Sequence, residues 1–561
     1  MPEQPLSDTL LDGDHLRQVS AEELTALLQK RVADSVAASS RLEFQAEAER
    51  LLAARCRRLI ADLAAINRTP LPQANQYLKE LRENVLWIDR EAKAPENRDH
   101  PSLQLWETAR QNHQTLIDGL ERAVADYAAS QNTALLRKAL LDVFVWRCRA
   151  AGHFIQASAL EDKNLILDQI DLALKLDLSL AAAWYLRGRT LAEQKKYRLA
   201  IHDLNWATRT DSNLFSAWWH LGNVCRFAND LTQALTCFER CIKLNPHSSA
   251  AYTGRGIVRS LMGDGPSAYA DFDRAIELDP LNAQAWNNRG NEHWDRGEYD
   301  RALEDYNRAL EINPHYVQVL NNRGSLYRYF KEYDRALADF ALALKLDPEH
   351  AFVYINRGNV YADLKQYPQA LEDYTRAIEL DPDNFNSYNN RGIVYYDLGR
   401  LDEARQDFDR AIAIEPKHSN AYNNRAMVHA DLGQVEQAIA DYQQAIALRP
   451  EESTSQLNLA EIFLVHNRFQ EALAILNQAE RHLTDKGDRT ILFYLRSILL
   501  RILKLDYREN DLCFENSLSR VNYVGWSFEA IDRWLNNTAL KDDIRSQIVR
   551  LTEQLREKTK I

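Results

Sequence analysis

Three observations predict an all-α chain built as a solenoid of helical hairpins. Proline recurs every 34 residues, at Pro246, Pro280, Pro314, Pro348, Pro382, Pro416 and Pro450. Small residues return at two fixed places in every period, and aromatic residues at two others. The register runs from Ala181 to about Thr484 with hardly an insertion. A period of this length is one supersecondary unit that buries its apolar stripe on its neighbours, so the core grows by stacking.

With the proline as position 32, position 8 is glycine in seven of nine repeats, from Gly188 to Gly392, followed by Ala426 and Ala460. Position 20 is alanine in all nine, from Ala200 to Ala472. Aromatic residues favour position 4, as Trp184 and Tyr388, and position 24, as Phe238 and Tyr442. Positions 4, 8 and 11 share one helical face, and 20, 24 and 27 another. Small residues at 8 and 20 let two helices approach while the aromatics fill the flanks. A turn such as Arg296-Gly297-Glu298 separates the helices, and the proline ends the second. These residues resemble the tetratricopeptide repeat, which implies a right-handed α-solenoid of helix-turn-helix units.

The flanks are also helical. A polar start gives way at Ser20, which with Glu23 forms a capping box, to one long helix or two ending before Pro70. Pro72 opens a helix to about Lys93, and Ser102 opens a third, with more helix through Leu141 to Ala157. Residues 1–142 form an N-terminal helical region, 143–180 a degenerate capping repeat, 181–484 the nine repeats and 485–561 a C-terminal helical cap. That cap holds helices near Ile491–Leu505 and Leu540–Lys558 and an aromatic segment from Tyr523 to Trp534.

The net charge of −12 and lack of a basic stripe make nucleic acid an unlikely partner. Six cysteines without a C-x-x-C pair fit a reducing compartment. Cys225, Cys237 and Cys241 fall on core positions, so they are expected as small buried hydrophobes, not metal ligands. Met1–His15 has no apolar run, which argues against a signal peptide. No window spans a bilayer. The cytoplasm is the expected compartment, with no membrane, metal or cofactor. No catalytic motif occurs, so no catalytic residue is assigned and the chain is expected not to be an enzyme. His247, His315, His350 and His418 lie in the turns between repeats.

Comparison among repeats exposes two constellations. Position 7 is arginine and position 23 aspartate in the same seven repeats, from Arg187 and Asp203 to Arg425 and Asp441. Where the arginine is lost, at Leu221 and Leu459, the aspartate is lost too, at Cys237 and Ile475. The joint change predicts a semi-buried ion pair, within a repeat or between neighbours. The second constellation is a row at position 6: Asn288, Asn322, Asn356, Asn390, Asn424 and Asn458. It lies about 200° around the helix from position 4, away from the core. Asp295, Asp363, Asp397 and Asp431 at position 13 share that face.

Asparagine costs up to about 0.7 kcal/mol within a helix, so a six-fold run needs a reason. An amide donates and accepts, which suits an extended peptide backbone. The row resembles the asparagine ladder in the repeats of the O-linked N-acetylglucosamine transferase, which implies a peptide-binding concave groove. These asparagines and aspartates are the candidate peptide-binding residues. The expected function is a non-enzymatic scaffold or adaptor holding a neutral or basic extended protein segment. Alternatives are a regulatory subunit acting through residues 1–142, and, less favoured, a helical-repeat nucleic-acid binder. At the N-terminal end the outward positions turn apolar, with Tyr185, Leu186, Trp219, Phe227, Ile257 and Leu261. Helices within residues 20–142 are expected to cover them, the alternative being a pocket for an apolar anchor of the partner.

Overall fold

The computed structural model describes residue 29 and residues 57–66, 68–93, 103–131, 133–158, 160, 162–481, 485–518 and 527–558. The helix expected from Ser20 lies largely outside these residues up to 56, as does the aromatic segment before Ser527. All regular secondary structure among the described residues is helical.

Each repeat is a hairpin of helices over positions 1–13 and 17–30, as in Ala351–Asp363 and Tyr367–Leu380, except that the second helix of the ninth, Phe469–Ala479, stops at position 27. Reversal after the first helix needs a left-handed residue, always at position 15. Glycine fills it at Gly263, Gly297, Gly399 and Gly433, but Lys331 and Lys365 hold φ of 60° and 57° there. After the second helix, in most repeats, the side chain at position 31 accepts the backbone N–H of position 33. Asp279 takes Leu281 at 3.0 Å and Asn313 takes His315 at 3.1 Å. The proline between them cannot continue the helix. His315 is thereby a turn residue, and His418 caps the next helix by accepting the N–H of Ala421 at 3.2 Å.

Close approach explains the glycine at position 8. A Cβ at Gly324 would lie 2.7 Å from Cε1 of Phe340, and one at Gly358 2.8 Å from that of Tyr374. Both rings are buried.

The arginine and aspartate of positions 7 and 23 meet within one hairpin in all seven repeats. The geometry is a two-pronged fork: Arg357 Nε donates to Asp373 Oδ2 at 2.8 Å and Nη2 to Oδ1 at 2.6 Å. The guanidinium also lies near the position-4 ring, 4.7 Å from that of Trp286 at Arg289 and 5.5 Å from that of Tyr354 at Arg357. In several repeats the third nitrogen reaches back to the preceding hairpin. Arg289 Nη1 meets Asp273 at 2.6 Å and Arg425 Nη1 meets Asp409 at 2.7 Å. At Leu221 and Cys237 the pair is replaced by buried apolar contact.

The chain divides into two bodies, Met1–Ile312 and Asn313–Ile561. In the first, helices Pro70–Lys93, Leu103–Ser130, Thr133–Ser158 and Lys163–Leu176 precede the repeats. The helix expected from Pro72 starts at Pro70. Their apolar stripes, with Trp106, Phe144 and Phe154, join one core with Trp184 and Leu204 of the first repeat. Arg147 is buried in that region between Asp62, at 3.1 Å, and Glu80, with its guanidinium 4.2 Å from the centre of the Tyr77 ring.

Cys225, Cys237 and Cys241 are packed in their own repeat, and burial pushes the thiols of Cys225 and Cys241 up to about 12. Tyr185 and Leu186 are buried, whereas Phe227 and Leu261 stay 61% and 57% exposed.

The second body holds the last five repeats and their C-terminal helices. Helix Lys486–Ile502 packs on the ninth repeat, followed by Arg508–Leu518, Glu529–Asn537 and Asp542–Arg556. Phe463, Leu476, Tyr494, Phe514 and Trp534 form their shared core. Tyr494 and Thr552 exchange a hydroxyl bond at 2.9 Å, and the Trp534 indole N–H donates to Asn467 at 3.2 Å. No helix among the described residues is long and apolar enough to cross a membrane.

Candidate interaction face

Within each body the first helices of successive repeats adjoin one another and present positions 5, 6, 9, 12 and 13 along one face. In the second body this face carries Asn322, Asn356, Asn390, Asn424 and Asn458, all half-buried. Four of these asparagines point their amides at the preceding repeat. The Asn356 side-chain N–H donates to Asn321 Oδ1 at 2.9 Å, that of Asn424 to Asn389 at 3.1 Å and that of Asn458 to Asn423 at 3.2 Å. Before Asn390 the equivalent residue is Ile355, and its amide turns instead to Asn359 Oδ1 at 3.0 Å. The row is thus a spine joining repeats as well as a surface. Position 5 is more buried than its sequence placement implied, with Asn389 at 7% exposure, because it supplies the acceptor.

The spine is only partly spent. An asparagine amide has two N–H groups and a carbonyl with two lone pairs. Among the described residues the carbonyls of Asn356 and Asn458 accept no protein hydrogen bond, whereas those of Asn390 and Asn424 take Asn389 and Asn423 at 3.3 and 3.4 Å. In the first body Asn288 donates to the backbone carbonyl of Gln284 at 2.7 Å.

The position-13 aspartates are not equivalent. Asp363 is neutralised by Arg328, from position 12 of the preceding repeat, at 2.7 and 3.1 Å. Asp431 accepts the hydroxyl of Tyr396, also from position 12, at 2.7 Å, and burial followed by that bond pushes the phenol up. Among the described residues Asp397 has only a distant Tyr367 hydroxyl as a hydrogen-bond donor, at 3.5 Å, and burial raises its carboxyl. Asp295, in the first body, is exposed.

Two features of this face were missed in the sequence. Tyrosine at position 24 bonds to asparagine at position 9 of its own repeat, Tyr306 to Asn291 and Tyr374 to Asn359, each at 2.7 Å. The signal was available, because Phe340 and Phe408 accompany Ser325 and Ile393 at position 9. The other is Glu461, also at position 9. Its Oε1 is shut off from solvent without a hydrogen-bond partner. Burial, followed by the charge of Asp431, pushes its carboxyl up to about 8.

Tetratricopeptide repeat families match the sequence at residues 215–248, 283–316, 317–350, 383–451 and 423–485, and a TPR repeat family at 358–399. This is a tetratricopeptide repeat protein. A comparison with curated proteins found no match. Among solved structures, a tetratricopeptide repeat protein from Parabacteroides merdae is 23% identical, over 44% of this chain and 97% of its own, with a TM-score of 0.37. YrrB, described as a TPR protein with an unusual peptide-binding site, is 27% identical over 33% of this chain and 95% of its own, with a TM-score of 0.27. PilF of Pseudomonas aeruginosa is 23% identical over 36% and 92%, with a TM-score of 0.33. The repeats make this tetratricopeptide chain a scaffold for protein–protein interaction.

Proposed function

We propose that the first-helix face of the second body holds an extended segment of a partner protein, and that the chain acts as a non-enzymatic adaptor. The observation that carries this reading is the half-spent asparagine row. One amide N–H of each of Asn356, Asn390, Asn424 and Asn458 ties the repeats together, and the rest of these half-buried amides can meet the N–H and C=O groups of an extended backbone. The spine bonds hold those amides in place, so little side-chain freedom is lost on binding. Asp397 and Asp431 favour a neutral or basic segment over an acidic one.

The test is the triple variant N322A/N356A/N390A. Loss of the spine bonds of Asn356 and Asn390 costs about 1 kcal/mol each, offset by up to about 0.7 kcal/mol per residue from alanine's better helix propensity. The variant is therefore expected to stay folded, with circular dichroism close to the parent. Partner recovery from native lysate on the full-length protein should drop. Undiminished recovery by a folded triple variant defeats the reading.

A further inference from the structure

Arg226 stands outside the charge pairing of the array. It occupies position 12, one residue before the end of helix Phe215–Phe227. In the second body a position-12 side chain reaches the carboxylate at position 13 of the next repeat, as Arg328 reaches Asp363 at 2.7 Å and Tyr396 reaches Asp431 at 2.7 Å. The residue at that place after Arg226 is Leu261, so the acceptor is missing. Among the described residues Arg226 makes no ion pair, and its Nε is shut off from solvent with no hydrogen-bond partner. Burial lowers the basicity of this guanidinium, with no carboxylate opposing it. A half-buried, unpaired cation is costly, and a carboxylate brought to it by a partner is its local complement.

Its surroundings are apolar and open. The guanidinium carbon lies 4.3 Å from the centre of the Phe227 ring, which stacks on Tyr197 with centroids 6.1 Å apart and planes 14° from parallel. Phe227 is 61% exposed, Leu261 57% and Met262 50%. Two large apolar side chains at position 13 of successive repeats thus flank a preorganised arginine. The indole N–H of Trp219, two turns earlier on the same helix, also has no acceptor.

We propose that this edge of the first body docks an extended protein segment in which an aspartate or glutamate stands beside a large apolar side chain. The carboxylate accepts from the terminal nitrogens of Arg226, whereas Asp363 accepts from Nε and Nη2 of Arg328. The apolar side chain lies on Phe227, Leu261 and Met262, an exposed cluster suited to an anchor. The preference is opposite in charge to that of the asparagine face. The site rests on the reading of the chain as a binder of extended segments, and adds a second surface with its own chemistry.

The test is a displayed library of random short peptides panned against the full-length protein. Enriched sequences are expected to pair an acidic residue with Leu, Phe or Trp. By fluorescence anisotropy, a labelled winner should bind R226Q about tenfold or more weakly, as should the same peptide with its acid replaced by the amide. L261D is the sharper variant. It offers Arg226 the carboxylate that Asp363 offers Arg328, so peptide binding should be lost while the melting temperature holds or rises. Winners that bind R226Q and L261D like the parent, or whose binding depends on Asn356 and Asn390 instead, overturn this site and leave the first reading standing. Enrichment of no peptide class overturns both.

Discussion

Replacing Arg357 by leucine removes one prong-and-fork pair from the middle of the second body. Asp373, only 3% exposed, accepts from Arg357 at 2.8 and 2.6 Å, and the arginine side chain is 24% exposed. Stripping the partner from a fully buried pair costs roughly 3–5 kcal/mol, because a charge is left in a medium that cannot solvate it. The partial exposure of Arg357 lets water relieve some of that, so the expected loss for R357L is about 2–4 kcal/mol. The double variant R357L/D373C copies Leu221 and Cys237, both buried in the second repeat without any charge. It should recover most of the loss, leaving about 1 kcal/mol or less, since replacing both partners by apolar groups is often nearly neutral. Urea unfolding of the full-length protein, followed by circular dichroism and fluorescence, reads the effect. Repeat arrays need not unfold in one step, so transitions are compared between variants at matched amplitude. If the double variant is as destabilised as R357L, the two residues are not energetically coupled and the inference from their joint loss fails.

Glu461 should make stability depend on pH. Its folded pKa of about 8 lies above the ordinary 4.5, so between those values the folded state keeps a proton that the unfolded state has lost. Stability therefore falls as pH rises from about 4.5 to 8 and levels above, with a slope of at most about 1.4 kcal/mol per unit. E461Q should flatten this, and urea midpoints at pH 5 and 8 that shift equally in parent and variant would contradict the assignment. G324A places a methyl 2.7 Å from the buried Phe340 ring, and the overpacking, about 1–3 kcal/mol, should outweigh the roughly 1 kcal/mol that alanine gains in a helix. A raised urea midpoint would mean the ring moves aside freely. Lys365 holds φ of 57°, a conformation costing a side chain about 1–2 kcal/mol, whereas glycine gives back roughly 0.5–1 kcal/mol in chain entropy. K365G should gain about 0.5–1 kcal/mol net and G399K should lose a similar amount. Opposite signs in thermal melts would place the strain elsewhere.

The repeat itself was legible in the sequence because its rules are local and copied many times. Gly324, Ala336 and Phe340 are needed wherever two helices of one hairpin touch, so periodicity alone identifies them. The pairing of Arg357 with Asp373 was legible for a related reason: repeats that lost one charge lost the other. Whether that bond lay within a hairpin or between hairpins needed three dimensions, as did the third nitrogen of Arg425 reaching back to Asp409. The asparagine row was visible as a row, but not its double duty. Asn424 finds its acceptor on Asn389, 35 residues away and one register off the repeat. Glu461 and Arg226 escaped notice for the same physical reason. A charge in a helix looks solvated in the sequence, and its cost depends on what the neighbouring hairpins place around it. Stacking shut off the Oε1 of Glu461 and left the Nε of Arg226 with no acceptor, so only the tertiary structure decided which charges are paired and which are still open to a partner.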